Sequence, residues 1–319
     1  MPNVLVLGGT GLLGTALTQS LLRAGTYSVF VQTRSASKAK PLVAAEITPL
    51  VFSLEDESAL KSALSAHDID TVVDVSQGYY QATSILKAVV AAANDRQAAL
   101  AKEGAVGPKL GFVYTSGTMI HGSPSKRVSD LSPVGNRLAS DKPATMVSWR
   151  PAHEQAILAC RDAINPVILR PGALYGRSAW NFGPWWGPIA AFKASGGDAL
   201  SIGADASARV GLVHVDDVAA AFHAAIDRLD GRLGDWPVFD VAAETVSVAD
   251  IVHGTLEALG LKASVNFVGT GGDVFLEGLG LCANGDATRA RTVLGWQPKR
   301  RNFLLNVGMY YLAWEAAQN

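Results

Sequence analysis

The stretch Val4 to Gly14, VLVLGGTGLLG, limits what this chain can fold into more than any other. Val4, Leu5, Val6 and Leu7 make an apolar run short enough for a buried strand, and from Leu12 to Leu22 apolar residues recur at helical spacing. The segment reads strand, tight turn, helix. Glycines at 8, 9, 11 and 14 satisfy both G-x-x-G-x-x-G and G-x-G-x-x-G. In such a turn glycines allow a sharp reversal, let a pyrophosphate approach the main chain and let the helix pack closely on the strand. The free amide hydrogens at the helix start then meet the phosphate charge. A glycine-rich turn can be only a turn, but one between a strand and a helix points to dinucleotide binding by Gly8, Thr10, Gly11, Leu12, Leu13 and Gly14.

With 319 residues the chain can bury a large core, as one elaborated domain or two closely joined ones. Hydrophobic residues make up 49% and charged ones 17%, with a net charge of −1, a balance that favours small-molecule partners over nucleic acid or an anionic membrane. Cys160 and Cys282 lie far apart, which argues against a disulfide framework and a metal cluster. The six histidines include no pair within four residues, so no metal site is expected. Neither a cleavable leader nor an apolar run of about 18 residues is present, so a cytoplasmic protein is expected.

Beyond the first helix, Tyr27 to Thr33 reads as a second strand and is followed directly by Arg34 and Ser35. About 20 residues past the glycines a carboxylate would take the ribose hydroxyls of NAD, whereas an arginine accommodates the extra phosphate of NADP. No Asp or Glu occurs before Glu46, so Arg34 and Ser35 point to NADP(H). Ile47 to Phe52, Asp70 to Val75 and Leu110 to Thr115 read as further strands, separated by helices from Asp56 and over about 81 to 101. This alternation predicts an α/β fold with a doubly wound parallel sheet, whose ligands sit at the carboxyl ends of the strands. Residues 76–80 and 115–122 are thus the places to look for chemistry. A surface excursion over 122–147, a helix over Trp149 to Ile164 and a strand over Val167 to Arg170 follow. WNFGPWWGP, from Trp180 to Pro188, is expected not to be a regular helix. Val210 to Val215 and Val238 to Val241 read as strands, Asp216 and Asp217 as a helix start, and Ser247-x-x-Asp250 as a capping box.

In order and spacing, GGTGLLG, FVYTSG with His121-Gly122 after it, LRPGALYG, VHVDDVA and LGWQP resemble the extended short-chain dehydrogenase/reductases, the NAD-dependent epimerase/dehydratase group. The resemblance implies a Rossmann domain, residues 1–175 with 210–242 returning to it, and a smaller C-terminal substrate domain of 176–209 and 243–319. It also implies that Pro171 and Leu174 approach the nicotinamide side of the cofactor, and Ser76 and Gln77 the adjacent ribose.

Enzymes of that family usually carry Tyr-x-x-x-Lys, in which the lysine holds the ribose and lowers the tyrosine's pKa. None of the seven tyrosines here has a lysine four residues later, and Trp149 to His153 stands in that place. An indole only donates, so Trp149 cannot relay the proton. His153 can bind a ribose hydroxyl or serve as the acid, the alternative being a polar histidine on the helix surface. The family's catalytic hydroxyl position falls on Gly117, so Ser116 and Thr118 become the candidates to polarise the substrate oxygen; otherwise they are turn residues bonding local backbone. Of Tyr79 and Tyr80, one is a reserve proton donor, Tyr79 in the catalytic set and Tyr80 toward substrate, with core packing expected for the other. His121, Trp180, Phe182, Trp185 and Trp186 are candidate substrate contacts, which would suit a flat apolar guest, or else core residues. Asp216 and Asp217 read as a helix cap rather than catalytic carboxylates.

The activity these residues suggest is NADPH-dependent reduction of a carbonyl, imine or conjugated double bond in an apolar metabolite, by a monomer or homodimer. The alternatives are a redox-neutral isomerase, dehydratase or cyclase with bound NADP, and a non-catalytic NADP sensor resembling the NmrA-like proteins.

Overall fold

A computed structural model describes residues 1–76, 78–281 and 284–318, so Gln77 and Cys282 lie outside the described residues. Strand β1 (Asn3–Leu7) leads through the glycine turn into α1 (Leu12–Ala24). The buried hydrophobic positions of α1 are Leu13, Ala16, Leu17 and Leu21, the 3-4 spacing of a one-sided helix, and Gly25 stops it in the left-handed region at φ 67°. Then come β2 (Ser28–Thr33), α2 (Ala39–Ala44), β3 (Thr48–Val51), α3 (Glu57–Ala66), β4 (Thr71–Asp74), α4 (Ala82–Lys102) and β5 (Leu110–Thr115). The next helix is α5 (Arg150–Ala159).

These strands, with Ile164–Pro171 and Val238–Val241, form a seven-stranded parallel sheet, as the doubly wound pattern predicts. Its order is β3, β2, β1, β4, β5, Ile164–Pro171, Val238–Val241. Leu5 lies opposite Phe30 on one side and Val72 on the other, so the chain reverses its direction of winding between β1 and β4. Ligands in open sheets bind at that switch point, outside the strands' carboxyl ends.

The chain divides into two compact units, the first made of residues 1–116, 152–169 and 219–238, the second of 117–151, 170–218 and 239–319. The expected boundaries differ from these: 117–151, 170–175, 210–218 and 239–242 group with the second unit. The first unit's core is aliphatic, with Leu5, Leu7, Ile85, Val89 and Ile168 fully buried around Phe112.

The second unit's core is aromatic: Tyr175, Phe182, Trp185, Trp186, Phe303, Tyr310, Tyr311 and Trp314. Here the expectation for WNFGPWWGP fails, because a 3-10 turn, Trp180–Phe182, runs into an α-helix, Gly183–Ser195. Pro184 falls in the first turn, where no amide hydrogen is needed. Pro188 inside the helix costs roughly 3 kcal/mol. Burying Trp185, Trp186, Ile189 and Phe192 returns roughly 1.5–3 kcal/mol each, so packing outweighs propensity. No helix among the described residues is long and apolar enough to cross a membrane.

Candidate active site

In the first unit the glycine turn is built around three close approaches. Gly8 has φ 77°, and a Cβ on it would lie 2.5 Å from Ser76 Cα, so β1 and β4 meet main chain to main chain at the switch point. A Cβ on Gly9 would sit 2.6 Å from a Val31 methyl, and one on Gly14 only 2.2 Å from the Gly8 carbonyl oxygen. Thr10 and Gly11 are exposed and Leu12 half-buried, while Leu13 anchors the helix inside. The N-cap of α1, Gly11, supplies no side-chain hydrogen bond, and the first turn holds no acidic residue. The first amides of α1 thus have no acidic side chain in their own turn and no side-chain cap, which suits a pyrophosphate.

At the end of β2, Arg34 is exposed beside half-buried Ser35, whose hydroxyl bonds Ser37 at 2.7 Å. Ser76 is fixed from below: its amide and hydroxyl donate to Asp74 Oδ1 at 3.0 and 2.6 Å, and Gly78 N–H donates to Ser76 Oγ at 3.2 Å. Asp74, buried at the end of β4, was not singled out from sequence. The signal was there, a carboxylate directly after the apolar pair Val72-Val73 at the end of the strand. The residues of this cradle fit a dinucleotide, with the amides of α1 for the pyrophosphate.

Ser116, directly after β5, is 4% exposed, and its Oγ has no hydrogen-bond partner among the described residues. A buried hydroxyl in that state suits a ligand better than a turn residue satisfied by local backbone. His153 on α5 is also buried, with its ring edge-on to Tyr114 at 5.0 Å and 67°, so it is not a helix-surface histidine. Tyr79 and Tyr80 are 40% and 94% exposed, which corrects the expectation that one of them packs in the core.

In the second unit Thr118 opens the 3-10 turn Thr118–His121 and is buried. At the end of that turn His121 Nε2 bonds Asp240 Oδ2 at 2.9 Å, both side chains 1% exposed. Asp240 N–H donates to Asp130 Oδ2 at 3.3 Å, Arg289 Nη1 lies 3.2 Å from Asp130 Oδ1, and Arg170 Nη1 3.7 Å from Asp240 Oδ1. Burial, and then the Asp240 charge, hold the Asp130 carboxyl above the usual range. His121 is therefore part of a buried ionic network and not a free wall of a substrate cavity.

Pro171 is buried and Leu174 half-buried in the short strand Ala173–Tyr175. Phe182, Trp185 and Trp186 are 0–1% exposed and fill the aromatic core, so they are corrected from substrate contacts to structural residues. Only Trp180 of that set reaches the surface, at 51% exposure, stacked on Phe275 at 5.5 Å and 17°. A cavity of about 300 Å³, lined among others by Asp205, Arg209 and Glu277, went unnoticed from sequence because residues 204–209 and 276–281 build it from separate segments. Asp216 and Asp217 fall inside the first turn of the helix Val215–Ile226 rather than capping it. Asp216 pairs with Arg177 at 2.7 Å, and buried Asp217 accepts the Lys299 and Arg300 amides at 2.9 and 2.8 Å. His214 Nδ1 accepts the Asp216 amide at 3.0 Å, and burial holds this imidazole below its ordinary pKa.

Comparisons with known proteins place this geometry. The dTDP-glucose 4,6-dehydratase of Bacillus anthracis, solved with NAD, superposes with a TM-score of 0.72 at 15% identity, over 99% of this chain and 97% of that one. The UDP-glucuronic acid 4-epimerase of Bacillus cereus, solved with UDP-glucuronic acid and NAD, gives 0.71 at 18% identity, over 98% and 99%. A curated relative, the decarboxylating sterol-4-alpha-carboxylate 3-dehydrogenase of Dictyostelium discoideum, is 39% identical over 69 residues, which is 22% of this chain and about a fifth (21%) of that protein's length. Residues 4–238 match the NAD dependent epimerase/dehydratase family, and the chain belongs to that family.

Proposed function

We propose that the protein is an NADPH-dependent reductase of a carbonyl, imine or conjugated double bond in an apolar small molecule. The observation that carries the cofactor reading is Arg34, exposed at the end of β2 in a chain with no carboxylate before Glu46. A cation there meets a 2′-phosphate, where a carboxylate would repel it. The amides of α1 hold the pyrophosphate, and Asp74 presents Ser76 toward the adjacent ribose. When bound, the cofactor supplies the hydride at nicotinamide C4.

The protein's own part is to hold the substrate oxygen and supply its proton. Ser116 has a buried hydroxyl available for that oxygen. His153 is the candidate proton source, because imidazole titrates near neutrality and Trp149 cannot relay a proton.

A second reading, a redox-neutral isomerase or dehydratase, draws on the absence of the Tyr-x-x-x-Lys pair. The test is a panel of ketones, imines and enones with NADPH. A reductase depletes the absorbance of the reduced nicotinamide with a member of the panel. Conversion without net absorbance change selects the second reading, and NADP binding without turnover selects a sensor.

A further inference from the structure

We propose that Ser20, His223 and Asp227 form an ester-cleaving site in the first unit, outside the dinucleotide cradle and independent of the reductase reading. All three residues, and Tyr27 beside them, belong to that unit. Ser20 lies in the C-terminal half of α1, His223 in the last turn of the helix Val215–Ile226, and Asp227 directly after it. A hydroxyl inside a helix commonly returns to the carbonyl four residues back, as that of Thr18 does to Gly14 at 2.7 Å. Ser20 meets a base instead. Its Oγ is 2.8 Å from His223 Nδ1, and across the ring Nε2 lies 3.8 Å from Asp227 Oδ1.

The carboxylate favours the tautomer with its hydrogen on Nε2, which leaves Nδ1 as acceptor for the serine hydroxyl. Tyr27 fixes the other two members: its hydroxyl donates to Asp227 Oδ1, and its ring stands edge-on to the imidazole at 5.8 Å and 71°. Burial, and then the bond to Asp227, hold the Tyr27 phenol above its ordinary pKa, so it stays a donor. Ser20, Tyr27 and His223 are half-buried and Asp227 is exposed, so the cluster opens to solvent. A hydroxyl, a base and a group that orients the base, each beside the next, are the parts of an activated nucleophile. His223 Nδ1 takes the hydroxyl proton as Ser20 Oγ bonds to the acyl carbon of an ester, and the alcohol leaves with that proton. Water, deprotonated by the same nitrogen, then cleaves the acyl-serine, releasing the acid and restoring Ser20. The Ser20 amide is committed to the helix and builds no oxyanion hole, so the substrates are esters with a good leaving group rather than amides.

The test is reaction of the full chain with a fluorophosphonate, whose phosphorus takes the place of the acyl carbon and loses fluoride to leave a stable adduct, alongside hydrolysis of 4-nitrophenyl acetate. One adduct per chain is expected, on Ser20 by peptide mass mapping. Ser20→Ala, which suits a helix, should lose the adduct and slow the hydrolysis by about tenfold or more. His223→Gln can keep the bond to Ser20 but cannot take its proton, so labelling should slow by about tenfold or more. Asp227 is a positioning residue: Asp227→Asn should slow labelling about tenfold, and Asp227→Glu should restore part of the rate. No adduct on the unaltered chain, an adduct on another residue, or an unchanged labelling rate in His223→Gln or Asp227→Asn overturns the proposal. If His223→Gln does not fold, the mapped position and the Asp227 pair decide between the same outcomes. None of these readouts uses a nicotinamide, so they stand or fall apart from the reductase reading.

Discussion

Arg34 carries its cation at the end of β2 on an exposed side chain, so its removal should be felt by the ligand rather than by the fold. Arg34→Ala is expected to weaken NADP by about 10- to 100-fold, the worth of a charged hydrogen-bonded contact. NAD should change by less than threefold, and calorimetric affinities for the two dinucleotides check this; equal losses remove the NADP assignment. Asp130 makes a different kind of prediction. Burial and Asp240 raise its pKa, so the folded chain holds this proton more tightly than the unfolded chain. Its contribution to stability is full below the ordinary carboxylate value and is lost as pH rises through the raised one. Melting temperatures from pH 4 upward should therefore shift progressively in favour of Asp130→Asn over the wild type, and a constant gap would refute this. At this scale, identities showed only that no tyrosine of the chain has a lysine four residues later. They did not show that His121 would find Asp240, because a contact across 119 positions leaves no trace in local pattern.

The glycine turn with α1 was the most legible element, since strand, turn and helix agree in propensity, pattern and backbone demand. Gly14 is its tightest point. Both the Gly8 oxygen at 2.2 Å and Gly9 Cα at 2.5 Å are backbone atoms that cannot rotate away from an added methyl. Gly14→Ala should cost about 1–3 kcal/mol in chemical denaturation by overpacking. Because α1 must then lift off β1, NADP affinity should fall more than tenfold by calorimetry. The helix Gly183–Ser195 was the least legible element. Local rules read its prolines and glycines as breakers, yet the ring partners of Trp186 include Phe303, Tyr311 and Trp314, more than a hundred residues away.

In the whole molecule, the doubly wound parallel sheet followed from strand and helix alternation, whereas the bounds of the two units did not. The chain passes repeatedly between the units, so that 117–151, set apart in the sequence only as a surface excursion over 122–147, groups with the second. The aromatic core of the second unit offers a direct contrast. Trp186→Ala should cost about 3–5 kcal/mol in denaturant unfolding. Trp180→Ala, half-exposed at the surface, should stay within about 1 kcal/mol. Similar losses for both would return Trp186 to the list of surface contacts.

The network of His121, Asp130, Arg170, Asp240 and Arg289 draws on stretches distant in sequence. Removing one member strands a charge in a dry interior at about 3–5 kcal/mol, whereas exchanging the whole set for apolar residues is nearly neutral. These positions can therefore be exchanged only together. A chimera with a relative, joined anywhere between 130 and 240, must take both halves of the network from one parent or arrive with an ion that has nowhere to go.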